Sequence, residues 1–582
     1  MIHHTSPMRL RPWLQAGLLL GGLAVAPTAG AQRAGDVPPS RLTPDTLRPQ
    51  ASPRPLTLEL TGTAPSAAPD GAERLFVTLE KAELSGSHPE LDAAQRALLD
   101  SLAGRRISVA QVFEAATALE AGFARAGYPL VRVAVPPQSL EDGGALRLQA
   151  VDGFIESIDV QGLPERVREA VLRRTAALVG RRSLTQAELE TRLARADDVP
   201  GLHLRSTLAA GQEAGAARLI LDGSHQALAL SLTADNQLDA TLGRWAWGLS
   251  VSGNGLLASE DQLYASVRQS AGDPSGQPQG RGLSLLGAGL SLPLTPEGVT
   301  AGIEFTTSST RPATTPGLPA TLGRFRRGVG RIHWPLQVDR AQRLSANLSV
   351  EHIDQRNTAS AFGVDLKHDR YWAVKLGLDH TGNVPPWGWI AAGASLVQGL
   401  GGRDADQARA EGVPLSRQGA QPRFTRALAT LRWVVPIAAT GSRLDLNAAA
   451  QTAFGRPLLQ SEQLSLDGPT AASGFLPGSL AVDAGTTLRA EWIQPYRLEQ
   501  LGRSESLAPY LFVADARGRV FAPTALEAAR LAVRSYGLGL RIESIGPFGL
   551  PMELDLEWAR GAGGAGDTQS SHRAWVALRT RF

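Results

Sequence analysis

Charged residues near the carboxyl end of the chain alternate with uncharged ones. Their types and spacing are those of groups that could take part in a reaction. Glu553, Asp555 and Glu557 are separated by single residues, so on a β-strand they share one face. Three arginines share one face of the strand-like segment that follows: Arg573, Arg579 and Arg581. Neighbouring carboxylates could form an acid–base cluster, but carboxylates opposite arginines on adjacent strands also form a favourable charged wall. We interpret them as a solvated wall and assign no catalysis.

The common motifs of hydrolases and nucleotide-binding enzymes are missing. The sequence contains no G-x-S-x-G, H-E-x-x-H or G-x-x-x-x-G-K-[ST]. It has no cysteine, which excludes disulfides, thiolate metal sites and cysteine catalysis. The 10 histidines are scattered, and none is paired at a spacing typical of metal ligands. A net charge of +3 is too small to indicate nucleic-acid binding. We therefore expect no enzyme activity, no cofactor and no nucleic-acid partner.

The beginning of the chain has the composition of an export signal. A basic start precedes an apolar stretch from Trp13 to Val25, and Ala29-Gly30-Ala31 has the form of a cleavage site. We predict a signal peptide over residues 1–31. A single membrane anchor is the alternative, but the apolar stretch is too short for it. Residues 32–72 are rich in proline, serine, threonine and alanine, and we predict that they form a disordered linker.

Two copies of one small pattern follow the linker. Over residues 73–152, an alternating segment precedes two stretches with helical periodicity and two further alternating segments. Ser108 and Gln111 form a capping box before the second helical stretch. Residues 153–225 repeat the same order, β-α-α-β-β. We predict two tandem α+β domains that form a modular arm.

From residue 226 to residue 582, helical periodicity largely disappears. Segments of about ten residues alternate between apolar and polar side chains and are separated by turn residues. We count sixteen, beginning near residues 227, 245, 262, 283, 298, 324, 343, 370, 388, 423, 442, 486, 508, 533, 551 and 573. Ten of the eleven tryptophans lie here, many near segment ends, as in interfacial girdles. We predict a 16-stranded antiparallel transmembrane barrel; the alternative is a large soluble β-sandwich or adhesin.

The chain ends on a strict alternation, HRAWVALRTRF. Phe582 falls on the apolar face of this last strand, while the arginines fall on the other face. In a barrel, the apolar face would contact lipid and the arginines would line a wet lumen. A carboxyl-terminal aromatic residue on the lipid face resembles the ends of outer-membrane barrels. That resemblance implies that Phe582 is read by the barrel-assembly machinery.

The end of the first small domain carries the most specific resemblance. Residues 127–162 read GYPLVRVAVPPQSLEDGGALRLQAVDGFIESIDVQG. This stretch resembles a polypeptide-transport-associated (POTRA) signature, with Pro136-Pro137-Gln138 and, at the entry to the next strand, Asp152-Gly153. Two such modules before a sixteen-stranded barrel resemble the transporter subunit of two-partner secretion, of the haemolysin and filamentous-haemagglutinin exporter type.

The resemblance implies a function and its partners. The chain would be a non-enzymatic pore in the outer membrane, surrounded by outer-membrane lipid, with its POTRA domains in the periplasm. Its partner would be a secreted exoprotein with an N-terminal secretion domain, captured while unfolded and exported. One alternative is an assembly or insertion factor of the same superfamily. Another is a diffusion porin or receptor.

The family also has a loop that folds into the barrel between strands eleven and twelve. Its tip motif, V-R-G-F/Y, corresponds here to Ser473-Gly474-Phe475, so serine replaces the arginine. The family's F-x-D-x-G motif on strand thirteen resembles a stretch here that contains Phe512, Asp515 and Gly518. Because residues are inserted between them, we expect a bulge. We also expect Asp515 to face the loop and another arginine, Arg489 or Arg517, to replace the missing one.

Overall fold

The computed structural model describes residues 38–49, 58–60, 68–86, 92–213, 215–271, 282–313, 319–339, 341–500, 503–525, 527–545, 549–564 and 570–582. The predicted signal peptide, residues 1–31, lies outside these ranges. Within them, no helix is both long and apolar enough to cross a membrane. The same ranges contain no group of three or more histidine or carboxylate side chains placed to hold a metal ion.

The first small domain is a sheet covered by two helices. A short strand, β1 (Leu58–Leu60), precedes the domain. The domain itself contains, in chain order, β2 (Phe76–Ser85), α1 (Ala93–Ser101), β3 (Arg106–Ser108), α2 (Val109–Arg125), β4 (Arg132–Ala134) and β5 (Gly144–Val151). The strands of this domain are arranged in the order β3-β2-β5-β4. The order β-α-α-β-β is therefore present, with β3 as a short addition.

Helix α2 shows why the sequence folds in this way. The Ser108 side chain accepts a hydrogen bond from the Gln111 amide, and the Gln111 side chain accepts one from the Ser108 amide. This capping box satisfies two amides that the first helical turn leaves free. Behind it, Val112, Leu119 and Phe123 lie on one face of the helix and are buried against the sheet. The domain thus has its own apolar core.

The second small domain repeats this architecture. Its elements are β6 (Phe154–Gln161), α3 (Glu165–Thr175), α4 (Gln186–Asp197), β7 (Leu202–Ala210) and β8 (Ala216–His225). The sheet order is β1-β7-β8-β6. Strand β1, which comes from the segment before the first domain, adds to the free edge of β7 in parallel orientation. A second apolar core, separate from the first, lies between α3, α4 and this sheet.

A closed antiparallel barrel follows the two small domains. The described residues form sixteen barrel strands, numbered here in words in chain order: Leu228–Asp235, Ala246–Asn254, Gln262–Ser270, Leu283–Pro293, Thr300–Thr310, Thr321–Val338, Gln342–Ala359, Val364–Val384, Gly388–Gly402, Thr425–Ile437, Ser442–Thr452, Ala484–Ile493 continued by Tyr496–Gln500, Arg503–Arg519, Arg530–Ile545, Pro551–Gly564 and Ser570–Arg581. Strand sixteen pairs with strand one and closes the sheet. The prediction of a sixteen-stranded barrel preceded by two small α+β domains is confirmed.

The barrel wall has two chemically different faces. On strand thirteen, Leu511 and Val513 are exposed on the outside, whereas Phe512, Ala514 and Ala516 are buried on the inside. This alternation follows from the strand period of two. An exposed apolar exterior is the surface that lipid covers in a transmembrane barrel. Helix α5 (Ala405–Glu411) lies in the connection between strands nine and ten.

The prediction of a disordered linker over residues 32–72 is wrong for two of its parts. Residues Pro39–Leu42 form a 3-10 helix in which Pro39 is buried, and Leu58–Leu60 form strand β1. Proline does prevent α-helix and internal strand pairing. It does not prevent a segment from being held by hydrogen bonds to neighbouring strands. The barrel strands hold residues 38–49 in this way, as described below.

Candidate functional site

A long loop between strands eleven and twelve fills part of the barrel interior. It spans residues 453–483 and contains a 3-10 turn at Gln460–Glu462 and a small hairpin in which Leu464–Ser465 pairs with Ala481–Val482. Buried apolar side chains of this loop pack against the inner faces of strands thirteen and fourteen: Leu466, Ala472, Leu480 and Val482 contact a cluster with Ala516, Val520, Leu531 and Val533. The loop therefore lies in the barrel interior and is enclosed by the barrel strands.

The loop tip is anchored by Arg489 on strand twelve. Its guanidinium donates one hydrogen bond to the Ser473 hydroxyl, at 2.8 Å. It also pairs with Glu491 on the same strand at 2.7 Å and with Glu557 on strand fifteen at 2.6 Å. The guanidinium carbon lies 3.7 Å from the centre of the Phe512 ring, a cation–π distance. Arg489 is fully buried, so water does not compete for the hydrogen bonds that its guanidinium donates to these partners.

Gly474 brings the loop backbone against three further strands. Its amide donates to the Ser535 hydroxyl on strand fourteen at 3.0 Å, and its carbonyl accepts from the Ser571 hydroxyl on strand sixteen at 2.6 Å. A Cβ atom at this position would lie 2.5 Å from the backbone nitrogen of Gly561 on strand fifteen. No side chain fits in that space, so glycine is required by the close approach of two backbones.

Phe475 completes the tip. Its carbonyl accepts a hydrogen bond from Arg573 on strand sixteen at 3.1 Å. Its ring lies over Gly561, where an added Cβ would meet the ring at 2.7 Å. Phe475 is partly buried against the apolar cluster of the loop. The three tip residues are thus brought together at strands fourteen to sixteen, and only the Arg489 contact involves strand twelve.

The prediction that Asp515 faces the loop is wrong. Asp515 lies on the outer face of strand thirteen, where it pairs with Arg517 at 2.6 Å and Arg534 at 3.1 Å. Phe512 and Gly518 do face inward, and a Cβ on Gly518 would meet Val482 of the loop at 2.4 Å. Phe512 and Gly518 are six positions apart and therefore share one face of the strand. Asp515 is three positions from each of them, so its side chain points to the opposite, outer face.

The expected bulge on strand thirteen is also absent. Its register with strands twelve and fourteen is continuous from Phe512 to Gly518. Two residues after Phe512 the inward position is Ala514, which lies directly opposite Arg489. An alanine therefore occupies the inner-wall position where the family pattern has its aspartate, and a serine occupies the tip position of the arginine. Both partners of the expected pair are replaced together.

A wider charged network supports Arg489, and the sequence analysis missed most of it. Arg541 pairs with Glu491 at 2.7 Å, and the Tyr510 hydroxyl donates to Glu557 at 2.9 Å. Trp575 donates to the other oxygen of Glu557 at 3.1 Å. The inward parity of these residues could have been read from strand alternation. The contacts between strands that are not neighbours in the sheet could not.

The charged wall predicted near the carboxyl end forms at Glu553, but Glu557 is buried away from solvent and, among the described residues, Arg573 donates to backbone carbonyls and not to a carboxylate. Strands fifteen and sixteen are neighbours, and Glu553 lies opposite Arg579. Glu553 also pairs with Arg581 at 3.2 Å. Phe582 lies beyond them on the outside, where its backbone exchanges two hydrogen bonds with Leu230 of strand one. The last residue therefore contributes to the seam at which the barrel closes.

Residues 38–49 form a second segment inside the barrel, here called the lumen segment. On strand five, Glu304 accepts hydrogen bonds from the Thr46 hydroxyl at 2.9 Å and the Leu47 amide at 3.1 Å. The Thr43 and Ser308 hydroxyls are 2.7 Å apart. On strand six, Arg327 donates to the backbone carbonyl of residue 44 at 2.8 Å. These contacts hold the segment to strands five and six.

The lumen segment also contacts the loop. Arg41 donates to the Gly478 carbonyl at 3.0 Å and to the Gln463 side chain at 2.8 Å. Gln463 in turn donates to Asp483, which is buried and accepts two bonds from Arg417 in the connection between strands nine and ten. The loop, the lumen segment and this connection thus occupy the interior together.

The POTRA signature residues join the two small domains. Pro136 and Pro137 cannot donate to the sheet. The Gln138 amide side chain takes their place, because it donates to the Arg147 carbonyl at 2.7 Å and accepts from the Arg147 amide at 2.9 Å. Asp152 accepts from the amide and hydroxyl of Ser183 in the second domain.

Gly153 completes this joint. A Cβ atom on it would lie 2.0 Å from the Leu130 carbonyl oxygen of the first domain. Asp152 and Gly153 of the signature therefore lie where the two domains meet.

Two ion pairs connect the second domain to the end of the barrel at which strand one begins. Arg174 on α3 pairs with Glu260 in the turn between strands two and three, and both side chains are buried. Asp198 after α4 pairs with Arg343 on strand seven. Burial raises the pKa of the Asp198 carboxyl, and the nearby Arg343 opposes this rise. The arm is thereby docked on the barrel mouth at two places.

Comparisons with known proteins agree with this architecture. The sequence profile of the haemolysin secretion/activation protein family ShlB/FhaC/HecB matches residues 219–542, more than half of the chain. The profile of the ShlB-type POTRA domain matches residues 77–153. No curated protein matches the chain in sequence.

Solved structures have the same fold. CdiB from Escherichia coli is 17% identical, with a TM-score of 0.62 over 89% of this chain and 93% of that chain. CdiB from Acinetobacter baumannii is 14% identical, with a TM-score of 0.59 over 90% of this chain and 95% of that chain. With its POTRA domains, its sixteen-stranded barrel and the family profile over most of that barrel, the chain belongs to the ShlB/FhaC/HecB family of two-partner secretion transporters in the outer membrane.

Proposed function

We propose that this transporter captures its secreted partner as an extended chain on the edge of a POTRA sheet and passes it through the barrel lumen. The observation that carries the proposal is the pairing of β1 along β7, in which Leu58–Leu60 lie beside Ser206–Leu208. An edge that accepts one extended segment through its backbone can accept another. Backbone pairing is also indifferent to sequence, which suits a partner that arrives unfolded.

The lumen must be vacated before a chain can pass. The loop and the lumen segment both occupy it, and the lumen segment is the simpler one to remove because it is joined to the rest of the protein at the periplasmic side through β1. Its departure would open a passage beside strands five and six, whose inner faces carry Glu304, Arg327 and Arg331. A polar wall of this kind does not retain an apolar stretch of the passing chain.

The work of this protein is transport and not catalysis. The carboxylates that could have formed an acid–base cluster are engaged by arginines, a tyrosine and a tryptophan of the wall. No nucleotide-binding motif is present in the sequence. The drive for export would then come from folding of the partner at the cell surface.

Co-expression with the partner tests this proposal. We expect the partner to be a secreted exoprotein with an N-terminal secretion domain, and it is sought first in the neighbouring open reading frame. Deletion of residues 73–225 removes two domains that have their own cores, so we expect a barrel that still shows heat-modifiable gel mobility but exports no partner. Normal export by this variant would contradict capture by the POTRA domains. Loss of other outer-membrane barrels in the deletion strain would favour the alternative function in assembly or insertion.

The barrel-assembly machinery is the second proposed partner. Phe582 supports the closing seam through two backbone hydrogen bonds to Leu230 and exposes its ring on the outside. Deletion of Phe582 should lower the yield of folded barrel in the outer membrane. Replacement by Tyr, which keeps an aromatic ring, is the matched control and should restore the yield. Unchanged yield without residue 582 would remove this role.

A further inference from the structure

Five arginines lie on the outside of strands thirteen to fifteen, close to one end of the barrel. All five are exposed and share the outward parity of their strands: Arg517, Arg519, Arg530, Arg534 and Arg560. We call this set the outer basic patch. Asp515 is the carboxylate of the same surface among the described residues. The patch therefore carries a large excess of positive charge on the face of the barrel that meets the membrane.

The patch lies at the extracellular end. Strand one begins directly after the second POTRA domain, so odd-numbered strands run away from the periplasm and even-numbered strands return. The end of strand thirteen and the beginning of strand fourteen, which carry four of the five arginines, are consequently on the far side of the membrane.

An apolar and aromatic band lies directly below the patch. Tyr536 and Arg560 are opposite each other, and the next pair toward the periplasm on the same face is Leu538 with Trp558. Trp558 is 42% exposed and Tyr536 is 46% exposed. Aromatic residues of this kind lie at the depth of lipid headgroups. The arginines are therefore at and just above the boundary between acyl chains and headgroups.

Among the residues that the structure describes, the charges of the patch are only partly balanced. Asp515 pairs with Arg517 and Arg534, which remain 60% and 74% exposed. In the described residues, no ion pair involves Arg519, Arg530 or Arg560. Arg519 and Arg530 are moreover directly opposite each other on adjacent strands. Like charges in this position repel, and an anion between them would remove the repulsion.

The opposite side of the barrel provides a contrast. The same rim carries basic residues on strands six and seven, where Arg326 lies opposite Asp354. There, Arg356 pairs with Asp354 at 3.2 Å and with Asp365 at 3.7 Å. Carboxylates of the protein thus accompany the arginines on that side. Arg324 lies opposite Arg356 there, but Arg356 is paired with two carboxylates, whereas Arg519 and Arg530 form no ion pair among the described residues.

We propose that the outer basic patch binds the phosphate groups of a phosphorylated glycolipid of the outer leaflet. Arginine binds phosphate through charge-assisted, bidentate hydrogen bonds. The apolar band below the patch is continuous with it and receives the acyl chains, which is why we assign the phosphate to a lipid and not to a free anion. This lipid would hold the wall that anchors the loop tip, because Gly474 approaches the backbone of strand fifteen between Arg560 and Gly561.

The test uses the full-length protein in detergent micelles and lipid A that carries two phosphates. Binding is measured by native mass spectrometry over a lipid titration. Replacing the three arginines without an ion pair by glutamine (Arg519→Gln, Arg530→Gln and Arg560→Gln) should weaken binding by at least about tenfold, because each interfacial arginine contributes to attraction of an anionic lipid. A control variant with the same loss of charge replaces three exposed arginines of the first POTRA domain: Arg96, Arg105 and Arg125. It should bind as the wild type does.

Two further arms distinguish the source of the phosphate. Dephosphorylated lipid A should bind the wild-type protein at least about tenfold more weakly, and this arm requires no variant. An excess of inorganic phosphate should leave bound lipid A in place. Equal binding of both forms of lipid A, equal binding by the patch variant, or an equal loss in the control variant would each overturn the proposal. Displacement of the lipid by inorganic phosphate would show a site for free anions and would overturn it as well.

Discussion

The loop of residues 453–483 and the lumen segment of residues 38–49 occupy the same barrel interior but are held differently. The loop tip is fixed by a fully buried arginine that bridges two carboxylates, and by a backbone contact that leaves no room for a Cβ atom. The lumen segment is held by separate hydrogen bonds in which one partner is usually a charged side chain, as in the contacts of Glu304 and Arg327, and by an ion pair, Asp45 with Lys375 at 3.8 Å. The loop tip is thus joined to the barrel wall through buried charges, whereas the lumen segment contacts the inner surface of the wall.

This difference has an energetic meaning. Removing one partner from a buried ion pair costs several kcal/mol because the other charge remains without compensation. A single hydrogen bond to a charged group contributes about 1.5 to 3 kcal/mol, and an ion pair with an exposed member contributes about 1 kcal/mol or less. We infer that the loop is a permanent part of the closed barrel and that the lumen segment is the part that leaves when a partner is exported.

The largest effect should come from removing the loop anchor. Arg489→Ala leaves Glu491 and Glu557 buried with fewer partners, so we expect a loss of about 3 kcal/mol in the stability of the closed barrel. The midpoint of the heat-induced gel shift measures this loss. Arg517→Ala is the matched control, because its pair with Asp515 is exposed on the outer face and should contribute less than about 1 kcal/mol. Equal midpoints for the two variants would contradict the anchor.

An intermediate effect should follow from restoring half of the family pattern. Ser473→Arg places a second cation beside buried Arg489, so it should destabilise the loop by about 1 to 3 kcal/mol. Ala514→Asp adds a carboxylate directly opposite Arg489. The double variant should recover at least about 1 kcal/mol relative to the sum of the single changes. Additive effects in this double-mutant cycle would show that positions 473 and 514 do not communicate through the loop tip.

The smallest effect should come from the lumen segment. Thr46→Ala removes the hydroxyl from which Glu304 accepts a hydrogen bond, at a cost of about 1.5 kcal/mol because the acceptor is charged. This cost corresponds to about a tenfold increase in the population in which the segment is released. Cleavage by trypsin after Arg41, which precedes Leu42, measures that population. Thr580→Ala, which removes an exposed hydroxyl bonded to a backbone carbonyl, should leave the cleavage rate unchanged.

An unchanged cleavage rate in Thr46→Ala, or a similar increase in Thr580→Ala, would contradict this description of the segment.

The sequence alone predicted the architecture because strand alternation is a local property. All sixteen predicted segments correspond to barrel strands. The same rule would have corrected Asp515, since Leu511 and Val513 on its face are apolar and the inward residues are Phe512 and Ala514. The prediction relied on the order of the motif residues, in which Asp515 is three positions from Phe512. Residues three positions apart lie on opposite faces of a strand.

Other features of the interior depend on contacts that no local pattern encodes. Arg489 was one of two candidate replacements for the missing arginine, but its bridge to Glu557 spans strands twelve and fifteen. The composition of residues 38–49 correctly indicated that they form no long helix or strand. It could not indicate that Glu304 and Arg327, more than 250 positions away, provide partners for their backbone.

A reversible lock on the lumen segment tests the central claim most directly. Because the chain has no cysteine, Thr43→Cys with Ser308→Cys introduces one thiol pair at positions whose hydroxyls are 2.7 Å apart, a separation compatible with a disulfide. We predict that export of the partner stops in the oxidised double variant and resumes after reduction, while each single variant exports normally under both conditions. Undiminished export by the fully cross-linked protein would contradict the account, because the partner would then pass with the lumen segment in place.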